Sequence, residues 1–170
     1  MKQNECKECE ENAGDTKVGH LREIDAIPNR GGIRNGLSEA KAAVEELRRF
    51  VGPDQLAALN ILLLSEERQY FFDKACELRD LIESMPKTYE QEVKGDEAII
   101  YLHYFVGNCN WYIIEKDSEE EQLQAFGIAD LGYGPEYGYI SIQELLENCV
   151  ELDFNYRPRT VAEQMGGKRI

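Results

Sequence analysis

The residues with the clearest chemical potential are acidic side chains next to lysine in the second half of the chain. Glu115-Lys116-Asp117 has the residue types of the acid-plus-lysine cluster of metal-dependent nucleases. Those enzymes need a strand on which one residue separates the acid from the lysine. Here the lysine directly follows an acid, so the two side chains point to opposite faces of a strand. Glu92-Val93-Lys94 has the required spacing but lies in a predicted turn beside a glycine.

An enzymatic alternative would use Asp96, Glu97, Glu115 and His103. Carboxylates are ligands that Mg²⁺ prefers, and an imidazole that titrates near neutrality can act as a general base. A catalytic histidine needs an orienting acid and a nucleophile or metal nearby, and the sequence identifies no such set. A hydrogen-bonded histidine of a sheet is the simpler interpretation of His103. We keep a small metal-dependent nuclease or hydrolase as the alternative and predict no catalytic residue and no cofactor.

The remaining candidate metal ligands are Cys6, Cys9 and His20. The two cysteines form half of a zinc site, but a structural zinc ion needs four ligands. The sequence contains no second CxxC pair and no HxxxH spacing. Five scattered cysteines are an odd number, so we expect free thiols in a reducing compartment and no bound metal.

Negative charge is concentrated in residues 86–155. The whole chain has a net charge of −14, and this stretch, with 15 acidic residues and three lysines, has a net charge of −12. The last fifteen residues have a net charge of +3. Such a field repels phosphate backbones and attracts basic grooves, so we expect a protein partner and no direct binding of nucleic acid.

Carboxylates spaced along a β-rich surface can imitate the regular charges of a DNA duplex. We call the predicted set the acidic surface, and it comprises Glu90, Glu92, Asp96, Glu97, Glu115, Asp117, Glu119, Glu120, Glu121, Asp130, Glu136, Glu144 and Glu147. The simpler interpretation is a solvated face that keeps the protein soluble, because concentrated like charge costs stability.

A tyrosine-rich loop is predicted around residues 132–138. Tyr133, Tyr137 and Tyr139 are candidate contact residues, since tyrosine buries a large area and keeps a polar group. Packing within the sheet explains them equally well. A plain protein-interaction module, including a homodimer, is therefore a further alternative.

Three helices are predicted before Pro86. Apolar residues recur every three or four positions from Ala40 to Val51, which indicates the first helix. Pro53 suits the first turn of a second helix, whose run Ile61–Leu64 we expect to be deeply buried. A third helix follows from about residue 65 and ends before the proline.

Beyond Pro86 the pattern is that of strands. Residues 98–106 and 111–116 predict a hairpin, and 123–130 and 150–156 predict two more strands. Ser141 begins a short helix with capping-box spacing. The chain therefore predicts an α+β fold, with N-terminal helices packed on a C-terminal antiparallel β-sheet and one short helix before the last strand.

Composition divides the chain into four parts. We predict a flexible N-terminal segment (1–36), a helical subdomain (37–85), an acidic antiparallel-sheet region (86–160) and a basic tail (161–170). No run approaches the roughly 20 apolar residues that a bilayer requires, and the N-terminus has no apolar core of a secretory leader. We therefore expect a cytoplasmic protein with no membrane partner.

Several motifs together resemble an uncharacterised protein family over about residues 80–162. They are Met85-Pro86-Lys87-Thr88-Tyr89, Tyr101-Leu102-His103-Tyr104-Phe105, Trp111-Tyr112-Ile113-Ile114-Glu115-Lys116-Asp117, Gln124-Ala125-Phe126-Gly127, Gly138-Tyr139-Ile140-Ser141 and Glu151-Leu152-Asp153. Members are small proteins of unknown function encoded on bacterial plasmids, integrative elements and phages. The family has no established catalytic residues.

That resemblance implies an accessory protein of a mobile element. Small acidic proteins in that setting often neutralise host defences such as restriction enzymes or CRISPR complexes. We therefore predict a non-enzymatic anti-CRISPR or anti-restriction inhibitor. It would bind a nucleic-acid-binding host protein or defence complex through the acidic, DNA-mimicking surface.

Overall fold

The computed structural model describes residues 35–166, which fold as helices followed by an antiparallel sheet. The predicted α+β class is confirmed, with most helices N-terminal and a short helix before the last strands. The predicted flexible segment lies outside the described residues up to residue 34, and the predicted basic tail does so from residue 167. None of the helices within residues 35–166 is long and apolar enough to span a bilayer.

Three N-terminal helices form one layer. They are α1 (Leu37–Glu46), α2 (Pro53–Leu62) and α3 (Arg68–Ser84), and a 3-10 turn (Leu47–Arg49) follows α1. Helix α1 buries Ala40, Ala43 and Val44, which recur at the three- and four-residue spacing that the sequence shows. Pro53 occupies the first turn of α2, where its missing N–H costs no hydrogen bond.

The expectation that the apolar run at residues 61–64, at the end of α2, is deeply buried is wrong. Leu63 is buried, but Ile61 is 72 % exposed and Leu64 is 69 % exposed. Successive residues of a helix point about 100° apart, so four in a row cannot all face one core. This end of α2 therefore presents aliphatic side chains to solvent.

Five strands form the main sheet, in the order β5-β4-β3-β2-β6. The strands are β2 (Leu102–Val106), β3 (Cys109–Glu115), β4 (Ala125–Asp130), β5 (Pro135–Ile140) and β6 (Glu151–Leu152). All neighbours pair antiparallel, and the register of β3 against β4 shifts between Ile113 and Glu115. The short helix α4 (Ile142–Glu147) begins at Ser141, whose hydroxyl accepts a hydrogen bond from the N–H of Glu144.

Two predicted segments differ from the structure. The tyrosine-rich loop is largely the edge strand β5, and the last predicted strand shortens to the two residues of β6. Gly138 lies opposite Gly127 of β4, and the strand propensity of the flanking tyrosines prevails over the loop preference of the glycines.

The inner face of the sheet packs against the helices. Leu102, Tyr104, Ile113, Ala125 and Ile140 join the helical residues in one buried cluster. The hydroxyl of Tyr104, which is fully buried, donates a hydrogen bond to the carbonyl of Phe50 at 2.7 Å. This bond ties the sheet to the turn that follows α1.

The outer face is partly covered by the C-terminal segment. Strand β1 (Ile99–Ile100) pairs with β7 (Arg159–Thr160), and helix α5 (Val161–Met165) follows immediately. A capping box at Thr160 and Glu163 starts α5, and Val161 and Met165 join a second buried cluster with Ile114 and Ile128. The predicted basic tail therefore begins with a helix that packs against the sheet.

Candidate functional site

Ten of the thirteen predicted carboxylates of the acidic surface are exposed. They are Glu90, Glu92, Asp96, Glu97, Glu119, Glu120, Glu121, Glu136, Glu144 and Glu147. Asp130 is half-buried, and one of its carboxylate oxygens accepts a hydrogen bond from the N–H of Gly132 at 3.1 Å. Glu115 and Asp117 are 2 % and 8 % exposed, so their assignment to the surface is corrected.

Glu115 instead holds a neighbouring turn in place. Its carboxylate accepts hydrogen bonds from the backbone N–H of Tyr89, at 2.7 Å, and from that of Gln91. Tyr89 has a φ of 77°, in the left-handed region that non-glycine residues rarely adopt. The buried carboxylate stabilises this conformation because it accepts the N–H of the strained residue itself.

Lys116 is also used by the fold. Its ammonium donates hydrogen bonds, each of 2.8 Å, to the carbonyls of Ile82 and Glu83 in the last turn of α3. Partial burial, together with the nearby charge of Lys87, lowers the pKa of Lys116 below its usual value. A cation at this position interacts favourably with the negative end of the helix dipole, and it shares the carbonyl of Ile82 with the N–H of Met85.

Asp117 closes the acidic turn that follows β3. Its carboxylate oxygens accept hydrogen bonds from the N–H groups of Glu119, at 3.1 Å, and Gln124, at 2.8 Å. Burial acts to raise the pKa of Asp117, but these backbone hydrogen bonds outweigh burial and leave the pKa below its ordinary value. The three charged residues at the end of β3 therefore have structural partners.

His103 lies on β2 with hydrogen-bond partners at both ring nitrogens. Nδ1 is 3.4 Å from a carboxylate oxygen of Asp153, and Nε2 is 3.0 Å from the side-chain oxygen of Asn110. Its ring stacks on Tyr112, with centroids 4.8 Å apart and planes 11° apart. The interpretation as a hydrogen-bonded sheet histidine is confirmed.

The candidate metal ligands do not form a site in the described part of the chain. Within residues 35–166, no three His, Cys, Asp or Glu side chains lie close enough together to hold a metal ion. The structure therefore does not assemble Asp96, Glu97, Glu115 and His103 as a metal centre. Cys6, Cys9 and His20 lie outside the described residues.

A pocket of about 510 Å³ opens on the outer face of the sheet, beside the segment that follows α3. We call it the outer-face pocket. It is lined by four aromatic rings (Tyr89, Phe126, Tyr137, Tyr139), three carboxylates (Glu92, Asp96, Glu115) and the smaller or neutral residues Thr88, Gln91, Gly95, Ala98 and Ile114. Lysine and arginine are not among these lining residues.

Strand pairing places the rings of the pocket. Phe126 on β4 is the direct cross-strand partner of Tyr139 on β5, and their ring centroids are 5.7 Å apart. Tyr137 is two residues from Tyr139, so both project from one face. The rings of Phe126 and Tyr137 are nearly parallel, with centroids 6.0 Å apart and planes 5° apart.

Tyr89 forms the opposite side of the pocket. Its hydroxyl lies 2.8 Å from that of Tyr139, and this hydrogen bond, with smaller effects of burial and nearby acids, raises the pKa of Tyr139. Burial and the charge of Asp96 raise the pKa of Tyr137. Both phenols therefore remain neutral at physiological pH, and the negative charge of the pocket belongs to its carboxylates.

Five of the predicted site residues meet in this pocket: Glu92, Asp96, Glu115, Tyr137 and Tyr139. Tyr133 does not, because it is fully exposed in the turn between β4 and β5. Tyr89 and Phe126 are site residues that the sequence pattern did not predict. Phe126 has the pattern of an ordinary strand residue, and the segment containing Tyr89 shows no periodicity.

Glu120 joins the acidic turn to the helical layer. Arg49 donates a hydrogen bond to its carboxylate at 2.8 Å, with both side chains more than half exposed. An exposed ion pair of this kind contributes little stability. It partly neutralises this end of the acidic surface and leaves Glu119 and Glu121 as better positions for a charge test.

The model of the domain family described as protein of unknown function DUF2958 matches residues 74–157. The expected resemblance to an uncharacterised family is confirmed, over a range close to the predicted one. The domain begins within α3 and ends after β6, so it includes the whole five-stranded sheet and every lining residue of the outer-face pocket. No curated protein and no solved structure matches the chain significantly.

Proposed function

We propose that the chain is a non-enzymatic inhibitor, encoded by a mobile element, of a bacterial defence system. It acts in the host cytoplasm and docks its acidic surface on the nucleic-acid groove of a host defence protein, such as a restriction enzyme or a CRISPR effector complex. The carrying observation is that ten predicted carboxylates are exposed within a stretch of net charge −12.

Electrostatics supports a basic protein partner over a nucleic acid. A groove that binds DNA presents lysine and arginine at phosphate spacing, and exposed carboxylates can occupy the same positions. Long-range attraction would make association fast and strongly dependent on salt. Two of the three lysines of the stretch, Lys87 and Lys94, are exposed and leave it strongly negative, while Lys116 is bound to α3.

The test compares two charge reversals of equal size. Glu119→Lys with Glu121→Lys alters the acidic surface, and Glu66→Lys with Glu67→Lys alters exposed residues before α3. Both double variants change the net charge from −14 to −10. Phage plating is measured in strains that carry a defined restriction or CRISPR system and express each protein.

We expect the wild-type protein and the Glu66/Glu67 variant to restore plating, and the Glu119/Glu121 variant to lose this effect. In vitro, duplex DNA should displace the inhibitor from the defence complex, and binding should weaken steeply with salt. Equal protection by both variants, with an unchanged salt dependence, would show that the acidic surface is not the docking site.

Self-association is a second candidate, favoured by the position of β5. This strand is an edge of the five-stranded sheet, and its Tyr137 and Tyr139 are 43 % and 54 % exposed. Edge strands present backbone groups with which another copy can pair. Light scattering over a hundredfold concentration range tests this, and a constant monomer mass would contradict it.

A further inference from the structure

The outer-face pocket combines features that recognise an organic cation. Four aromatic rings surround it, and ring faces attract cations through their quadrupole. Glu92 and Asp96 lie at the same opening and are exposed, so a bound cation would also meet carboxylates. Its volume falls within the roughly 300–1,000 Å³ that is typical of ligand pockets.

The pocket is built before any ligand arrives. Glu115 fixes the backbone of Tyr89, and the hydroxyl of Tyr89 is hydrogen-bonded to that of Tyr139. Phe126 and Tyr139 are fixed by strand pairing. A ligand would therefore lose little free energy in ordering these side chains, which is the advantage of a preorganised site.

Lys94 lies beside the pocket, and its ammonium already has a hydrogen-bond partner. The ammonium of Lys94 donates a hydrogen bond to the side-chain oxygen of the lining residue Gln91 at 3.2 Å, but Lys94 itself does not line the pocket. The aromatic rings thus face a pocket whose charged lining residues are all acidic. Within residues 35–166 no cation lines the pocket, so its negative charge is complementary to a positive group supplied by a ligand.

We propose that the outer-face pocket receives an arginine side chain of the protein partner, with its guanidinium against the aromatic rings and the carboxylates of Glu92 and Asp96. The guanidinium is planar, so it can stack on rings such as the parallel pair Phe126 and Tyr137. It is also weakly hydrated and can donate several hydrogen bonds to carboxylates.

The identity of the partner rests on the proposed function, but the chemistry of the pocket does not. A groove that binds nucleic acid is rich in arginine, so the occupant would belong to the same basic surface that the exposed carboxylates attract. A buried arginine at the centre of such an interface is a typical energetic hot spot.

The test uses three short peptides and the intact protein. They are acetylated and amidated Gly-Xaa-Gly, in which Xaa is arginine, citrulline or lysine. Citrulline has the shape of arginine without its charge. Binding is followed by NMR, through the aromatic resonances of Phe126, Tyr137 and Tyr139.

We expect saturable shifts of these resonances with the arginine peptide and about tenfold weaker binding of the citrulline peptide, because a desolvated cation–π contact and a charged hydrogen bond are lost. The lysine peptide should bind more weakly than the arginine peptide. Asp96→Asn should weaken arginine binding several-fold, because it removes a charge at the opening.

Two variants separate the pocket from general attraction to an acidic protein. Phe126→Leu removes a ring from the pocket, and Tyr133→Leu removes a fully exposed ring outside it. We expect the first to weaken arginine binding about tenfold, as loss of a desolvated cation–π contact would, and the second to leave binding unchanged.

Three results would overturn the proposal: equal binding of arginine and citrulline, tighter binding of lysine, or equal effects of Phe126→Leu and Tyr133→Leu. The peptides contain no host protein, so a failure here would leave the docking proposal standing. Loss of protection in the Glu119/Glu121 variant with intact arginine binding would conversely separate the docking surface from the pocket.

Discussion

Replacing Glu115 by glutamine tests whether the buried carboxylate holds the turn that carries Tyr89. The carboxylate accepts two backbone N–H groups, whereas the amide of glutamine offers one oxygen and places an N–H₂ group against the other donor. A hydrogen bond to a charged group contributes about 1.5–3 kcal/mol, and an unsatisfied buried donor costs about 1–3 kcal/mol. We therefore expect Glu115→Gln to lower the free energy of unfolding by about 2–3 kcal/mol.

The matched control is Glu90→Gln. The carboxylate of Glu90 also accepts a backbone N–H, that of Lys87 at 2.8 Å, but its side chain is exposed. Water can replace the lost bond there, so the change should stay within about 0.5 kcal/mol.

Urea denaturation followed by the fluorescence of Trp111 measures both variants, and hydrogen exchange reports the amides of Tyr89 and Gln91. In Glu115→Gln these two amides should exchange faster than those of β3 and β4. Equal stability of the two variants, with unchanged protection of the two amides, would refute the role assigned to Glu115.

Other predictions concern the sheet, a buried hydroxyl and pH. A Cβ atom on Gly127 would lie 2.1 Å from the carbonyl oxygen of Tyr112, so Gly127→Ala should cost about 2–3 kcal/mol or more. Gly138→Ala, which meets nothing within 4 Å, should change stability by less than about 0.5 kcal/mol in the same urea assay. Tyr104→Phe should cost about 1–2 kcal/mol, because it leaves a buried carbonyl without its donor. The pKa of Asp117 is lowered in the folded state, so its stabilising effect is present above pH 4 and lost as the pH falls below about 4. The difference in unfolding free energy between the wild type and Asp117→Asn should therefore shrink at acidic pH.

The N-terminal helices and the hairpin of β2 and β3 follow from patterns that the sequence shows directly. The three- and four-residue spacing of Ala40, Ala43 and Val44 predicts the buried face of α1, and the turn at 107–110 predicts the pairing of β2 with β3. These elements depend on local periodicity and on short connections, so one sequence is enough to predict them.

Strand β5 and helix α5 depend on contacts between residues that are distant in sequence, so local patterns did not predict them. Glycines at 132, 134 and 138 indicate a loop, yet Gly138 pairs with Gly127 inside the sheet. Val161 and Met165 lie in a short basic segment. They are buried because they pack with Ile114 and Ile128 on the outer face of the sheet, more than 30 residues earlier in the chain. Local preference favours a loop or a tail at these positions, and tertiary packing prevails over it.

The candidate site was predictable in its charge but not in its geometry. Residue types predict that Glu92, Asp96 and two tyrosines are available, but the pocket requires β5 to be a strand and Tyr89 to adopt a positive φ. Neither condition is visible in composition or spacing. The positive φ of Tyr89 is stabilised by the buried carboxylate of Glu115. The residue type alone does not show whether an acidic side chain is buried or exposed.

The run Glu115-Lys116-Asp117 shows why charge alone is a poor guide to a site. These residues stand where β3 leaves the sheet, and each is bound to a different segment: the turn at 88–91, the end of α3, and the turn at 117–124. A charged side chain that satisfies buried backbone groups is no longer free to bind a partner. Carboxylates able to bind a partner are therefore those that remain exposed, such as Glu119 and Glu121, or that line a preorganised pocket, such as Glu92 and Asp96. Mutations at these four positions test the proposed docking surface and pocket, whereas mutations at the end of β3 affect the fold first.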